Sequence, residues 1–223
     1  MENFEGTSMP MKWEPAIYEH KAALIGKSPA EVADSAELLA EAVLKEYEVY
    51  QADYITVGLD VYNIEAEALG VKLTVPGENE CPDLAGTLYD LNNLPERLTL
   101  PDIPNAGRFS LLIEAGKNIQ TAIGKKTKVR VAASGPVTMA AKLAGIEDLI
   151  MSLCMRDGNA VRLLEFTTRI AELKSNSTAA ECRGYNKFSS ELLLFKNPIA
   201  GTGILPFDFN PNKFSDFKRS VIC

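Results

Sequence analysis

Asp60, Asn63 and Glu65 place two carboxylates and an amide within one short stretch, Asp60-Val61-Tyr62-Asn63-Ile64-Glu65. Groups of this kind can take up a proton, orient an N–H group or receive a cation. Asp60 closes an apolar, β-branched run from Tyr54, and an acid there is equally at home as the N-cap of a following helix. Glu65 and Glu67 are two apart and cannot share a helix face, so one points inward and the other is solvated. The second stretch is Ser134-Gly135-Pro136-Val137-Thr138. Gly135-Pro136 turns the chain into a helix whose free N–H groups can hold a carboxylate or another anion. No Gly-rich loop surrounds it, which excludes a nucleotide-phosphate cradle. The candidate site is therefore Asp60 as the catalytic group, with Asn63, Glu65, Gly135, Pro136 and Thr138 binding substrate and no metal ligand.

His20 is the only histidine. Any site needing two imidazoles from this chain is excluded, and no G-x-S-x-G elbow exists to supply a serine for a triad. His20, beside Glu19, has a surface or packing role. Cys81, Cys154, Cys182 and Cys223 are spaced widely and irregularly. That spacing argues against a disulfide framework or a zinc ribbon and for reduced thiols in a cytoplasmic protein.

The elements that must position these residues are legible in the apolar spacing. Pro15 to Leu24 forms a short helix stopped by Gly26. Ser28-Pro29-Ala30-Glu31 opens a longer one with a capping box, and Val32, Ala36, Leu39, Val43, Tyr47 and Tyr50 mark its buried face. Tyr54 to Asp60 is a buried parallel strand. Ile64 to Leu69 is a helical turn, Val71 to Val75 a short strand, and Pro76 to Pro104 mostly loop. Helix Arg108–Ile123 leads into a second core strand, Lys128–Ser134, followed by helices over Val137–Leu143, Ile146–Cys154 and Asn159–Leu173. Strands alternating with amphipathic helices read as an α/β fold built from βα units around a parallel sheet.

After Leu173 the pattern changes. Residues 174–223 hold six of the nine phenylalanines and carry a net charge of +3, against −10 for residues 1–173. The whole chain has 223 residues, is 46% hydrophobic and carries a net charge of −7. Its only basic run is Lys125, Lys126, Lys128 and Arg130, so nucleic acid is not an expected partner. No segment reaches the roughly 18 apolar residues of a membrane span, and residues 1–11 lack the pattern of a signal peptide.

Several runs resemble the uroporphyrinogen decarboxylase superfamily. They are Trp13-Glu14-Pro15-Ala16-Ile17-Tyr18-Glu19-His20, Leu24-Ile25-Gly26-Lys27-Ser28-Pro29, the stretch from Asp60 to Gly70, and Ser134-Gly135-Pro136-Val137-Thr138-Met139-Ala140-Ala141. The E-A-E-A-L-G and G-P-V-T runs are closer to the corrinoid-dependent methyltransferase branch than to the decarboxylases. The resemblance spans about residues 12–172. It implies a (β/α)8 TIM-barrel fold with its cleft at the strand C-termini, and passage of a methyl group from a corrinoid carrier to a thiol-type acceptor. The partner it implies is a small molecule or a corrinoid protein. The alternatives are decarboxylation of tetrapyrrole acetate side chains and an inactive binding or relic fragment.

By the same resemblance Asp60 stands about where the decarboxylases place the aspartate that meets the pyrrole N–H groups. Their arginine-rich N-terminal motif has no counterpart here, and their active-site tyrosine falls at Lys142. The methyltransferase branch uses zinc on a His-x-Cys pair and a later cysteine. This chain has no such motif, so no cofactor is expected in it. A whole barrel takes about 250 residues. The expectation is thus an incomplete barrel: residues 1–173 as its N-terminal part, and 174–223 as an atypical tail from truncation or frameshift. The strand edges it would leave unpaired imply an oligomer.

Overall fold

A computed structural model describes residues 12–15, 18–60, 62–77, 79–123, 126–131 and 134–181. The chain divides into the units Met1–Ser190 and Glu191–Cys223, and every described element belongs to the first. The Phe-rich part of the tail lies outside the described residues.

The N-terminal helices follow from their caps. Helix α1 is His20–Leu24, and α2 is Pro29–Ala33. The Ser28 capping box is formed: Ser28 Oγ accepts from Glu31 N at 3.3 Å, and Ser28 N donates to Glu31 Oε2 at 3.0 Å. The single long helix expected to run on to Tyr50 is broken at Asp34–Ser35. There Ser35 accepts from Leu38 N at 3.2 Å and starts α3, Ala36–Tyr50, as a helix of its own. A second serine able to cap competes with helix continuation. Gln51 ends α3 in the left-handed region.

Strand β1, Tyr54–Val57, pairs in parallel with a strand far along the chain, Lys128–Val131. Between them lie helix α4, Ile64–Ala68, and two strands of two residues each, β2 (Leu73–Thr74) and β3 (Asp83–Leu84). Helix α5, Phe109–Ile123, then leads to the Lys128–Val131 strand, β4. Helices α6 (Pro136–Ala144), α7 (Ile146–Cys154) and α8 (Gly158–Glu181) follow. Helix α8 runs through the expected break at Leu173.

The expected (β/α)8 TIM barrel is corrected by this architecture. Among the described residues the chain is mostly helical, with 55% helix and 8% strand, and their four strands form two small open sheets. Alternation of strand and helix identifies βα units but does not count the strands that close a sheet. The Val71–Val75 run does not enter the core sheet: β2 pairs antiparallel with β3, Thr74 is exposed and Val75 is 51% exposed. At the end of β1, Lys21 Nζ donates to the carbonyls of Thr56 and Gly58 at 3.1 and 3.4 Å, so a side chain takes up these backbone acceptors.

The core lies where the helices cover the parallel pair. Ile55 and Val57 of β1 meet Leu39 and Val43 of α3, Leu112 and Ile119 of α5, Met139 and Leu143 of α6, and Leu163 and Ile170 of α8, all buried. Each such side chain contributes about 1.5–3 kcal/mol by leaving water. This core fixes the ends of β1 and β4, from which the candidate site residues project.

Candidate functional site

Beyond β1 the chain turns through Gly58 and Leu59 to Asp60, which is nearly buried. An arginine from the start of α5 meets it as a fork. Arg108 Nη1 donates to Asp60 Oδ1 at 3.2 Å and Nη2 to Oδ2 at 2.5 Å, while Nε donates to Glu67 Oε2 at 2.8 Å. The planar guanidinium is built for such two-point contact with a carboxylate. Burial alone would lower the Arg108 pKa, but the bonds and charges of Asp60 and Glu67 more than reverse that and raise it. Gly107, with φ +53°, makes the approach possible. A Cβ there would sit 3.3 Å from Ala68 N and from the Glu67 side chain.

Asn63 is the next anchor. Its amide donates to Pro82 O at 2.9 Å and to Asp83 Oδ1 at 3.3 Å, and its carbonyl accepts from Lys142 Nζ at 2.9 Å. One side chain thereby ties the start of α4 to the β3 segment and to α6. Asp60, Asn63 and Lys142 line a cavity of about 500 Å³, with the 79–83 segment as a further wall. Four carboxylates face it, Glu19, Asp60, Glu80 and Asp83, against the single ammonium of Lys142 among the described lining residues. Tyr18, Tyr62 and Cys81 supply less polar surface. Burial pushes the Cys81 thiol up to about 12, with further contributions from the charges of Asp60 and Glu19. Burial also raises the Tyr18 phenol, followed by the charge of Glu14. Both groups therefore stay protonated near neutrality and can donate hydrogen bonds.

Of the residues singled out in the sequence, Asp60 and Asn63 come together in this cavity. Glu65 does not line it. It is a buried residue of α4, and its Oε1 accepts from Ser134 N at 2.9 Å and from Lys174 Nζ. Gly135 caps α6 with its backbone, Pro136 is buried and Thr138 is exposed, and none of the three lines the cavity. Helix α6 contributes Lys142 instead. His20 also lies outside the lining; its Nδ1 is 3.7 Å from Glu46 Oε1, and its ring leans on Tyr50.

Arg108, Lys142 and Cys81 were not selected from the sequence. Arg108 reads there as the first residue of an amphipathic helix, and Lys142 as the loss of a tyrosine. The Gly107-Arg108 pair was the one available signal, a glycine just before a cation at a helix start.

The donor set does not fit the zinc of the methyltransferase branch. Zinc sites with thiolate and imidazole ligands need deprotonated sulfur, and the lining offers one strongly protonated thiol and no imidazole. No group of three or more His, Cys, Asp or Glu among the described residues could hold a metal ion. What the cleft can do is accept hydrogen bonds at its carboxylates, donate them from Lys142, Tyr18 and Cys81, and repel polyanions.

The sequence matches the family model "Uroporphyrinogen decarboxylase (URO-D)" over residues 14–174. Among solved structures, a methyltransferase from Methanosarcina mazei is similar in fold, with a TM-score of 0.64 and 20% identity. The alignment covers 75% of this chain and 49% of that one, so this chain spans about half the length of that relative. No curated protein matches.

Proposed function

Because the chain belongs to the uroporphyrinogen decarboxylase (URO-D) family, we propose that it supplies the Asp60 cleft of a methyltransferase-type member. In this reading a methyl group passes from a corrinoid carrier to a thiol-type acceptor, and the partner is a small molecule or a corrinoid protein in the cytoplasm. The observation that carries it is the charge of the cleft: among the described lining residues, four carboxylates face one ammonium. Uroporphyrinogen is a polycarboxylate, and a decarboxylase needs cationic groups to hold it. Arg108 is spent on Asp60 and Glu67. The fold neighbour from Methanosarcina mazei is a methyltransferase, which supports this reading.

Asp60 favours the decarboxylase alternative, since a buried carboxylate at a strand end can accept pyrrole N–H groups. Charge counts against it, because several substrate carboxylates would meet like charges in a half-enclosed space. Equilibrium dialysis of the purified chain against methylcobalamin and against uroporphyrin separates the two. The expected result is retention of the corrinoid and exclusion of the porphyrin. The double variant Glu80→Lys/Asp83→Lys, which reverses two exposed wall charges, is expected to gain porphyrin binding. Retention of uroporphyrin by the unaltered chain, or carbon dioxide release from uroporphyrinogen, overturns the proposal.

A further inference from the structure

Glu65 and Lys174 are each 2% exposed, and their side chains meet between α4 and α8. Glu65 Oε1 also accepts from Ser134 N, at the entrance to α6. Ser134 Oγ in turn donates to the carbonyl of Tyr62, a cavity-lining residue, at 3.2 Å. The Lys174 ammonium stands 5.6 Å from the centre of the Phe109 ring, on α5. One carboxylate thus gathers α4, α8 and the start of α6, and its lysine partner lies against α5. Helix α4 has five residues, too few to hold a fixed position by its own hydrogen bonds. Its placement comes from anchors at its N-terminal end, Asn63 as the cap and Glu65 in the first turn.

We propose that the Glu65–Lys174 pair is a latch that positions the Asp60 cleft from behind. Glu65 is then a positioning residue acting through Ser134 and Asn63, and it never touches the ligand. Lys174 belongs to the functional unit, although it lies beyond the periodic pattern that stops at Leu173. If α4 shifts, Asn63 releases Pro82 and Lys142, and the 79–83 wall carrying Cys81 opens. Breaking one partner of a buried pair strands the other charge, whereas neutralising both is close to neutral. The pair therefore has a signature in double substitution that simple packing lacks.

The functional weight of the latch rests on reading the Asp60 cleft as the ligand site. Its test needs no ligand, so the two ideas fail separately. Cys81 in the full chain is alkylated with iodoacetamide and followed by peptide mass mapping, with exposed Cys154 calibrating the reagent. Lys174→Met is expected to speed Cys81 alkylation at least about tenfold while the far-UV circular dichroism is unchanged. The double variant Glu65→Gln/Lys174→Met is expected to return to within about threefold of the unaltered chain, since glutamine still accepts from Ser134 N. If Lys174→Met does not fold, Glu65→Gln alone decides, with an expected gain of about threefold on a retained fold. An unchanged Cys81 rate overturns the latch. So does an acceleration that only follows loss of the circular dichroism signal, because the pair would then support packing in general and not the cleft.

Discussion

The two strand ends of the parallel pair look alike in sequence and differ in structure. Beyond β1, Asp60, Asn63 and Glu65 each reach a cation on a distant element: Arg108, Lys142 and Lys174. Beyond β4, Gly135 and Pro136 present backbone and ring, and Thr138 faces solvent. Each end is an apolar strand, a turn and a helix. What separates them is the company they keep, because the 79–83 segment walls the cavity beside Asp60 while α6 lends that cavity only Lys142. A strand's C-terminal end nominates a site. Side chains arriving from elsewhere make one.

The strongest way to break this contrast is to remove the cation beneath Asp60. Arg108→Met leaves two carboxylates facing each other in a largely buried space, and it is expected to cost about 3–5 kcal/mol in urea unfolding. A cost below about 1 kcal/mol would place Arg108 among ordinary surface ion pairs and erase the distinction between the two ends. Asn63→Ala comes next. It removes the link between Pro82, Asp83 and Lys142, and a loss of about 1–3 kcal/mol is expected, with faster amide exchange concentrated in residues 79–85. Uniform loss of protection across the helices would contradict the assignment of Asn63 as a local tie.

Acidity sharpens the contrast further. The Cys81 thiol is raised from 9.0 to about 12 in the folded chain. A raised pKa means that the fold favours the protonated thiol. Its contribution to stability is therefore fully present below pH 9 and is lost as pH climbs toward 12. The urea midpoint of the unaltered chain should fall more steeply over that interval than that of Cys81→Ala. Alkylation of Cys81 should lag well behind that of Cys154 below pH 9 and keep rising above it. Parallel profiles for the two thiols would mean that the cleft does not shelter Cys81.

Much of the scaffold was legible because its signals are local. The Ser28 capping box, the Tyr54–Val57 and Lys128–Val131 strands, and helix α5 all follow from spacing within one turn or one strand. The partners of the site were not legible, for a physical reason. Asp60 and Arg108 are 48 residues apart, Asn63 and Lys142 are 79 apart, and Glu65 and Lys174 are 109 apart. Contacts at such separations leave no periodicity to read. A buried cation also looks like a solvated one until the elements around it are placed, as with Lys21, Lys174 and Arg108. The expected (β/α)8 barrel, already read as incomplete, failed on the same ground, since alternation is local and strand count is global. Strand-end position brought Asp60 and Asn63 to the described cavity, whereas Gly135, Pro136 and Thr138, chosen on the same ground, do not line it.

The smallest expected effect is the most discriminating for the β4 end. Thr138 is exposed on α6, and threonine is a poorer helix former than alanine because its branched Cβ restricts χ1. Thr138→Ala should therefore leave stability within about 0.5 kcal/mol of the unaltered chain, with any change toward greater stability. It should also leave Cys81 alkylation untouched, since no wall of the cavity moves. A loss above about 1 kcal/mol is larger than helix propensity or solvent contact can account for. Such a loss would show that Thr138 meets a partner, and the turn at Gly135-Pro136 would regain the standing that its position in the sequence gave it. If the effect stays that small, Thr138 meets no partner, and α6 reaches the cavity through Lys142.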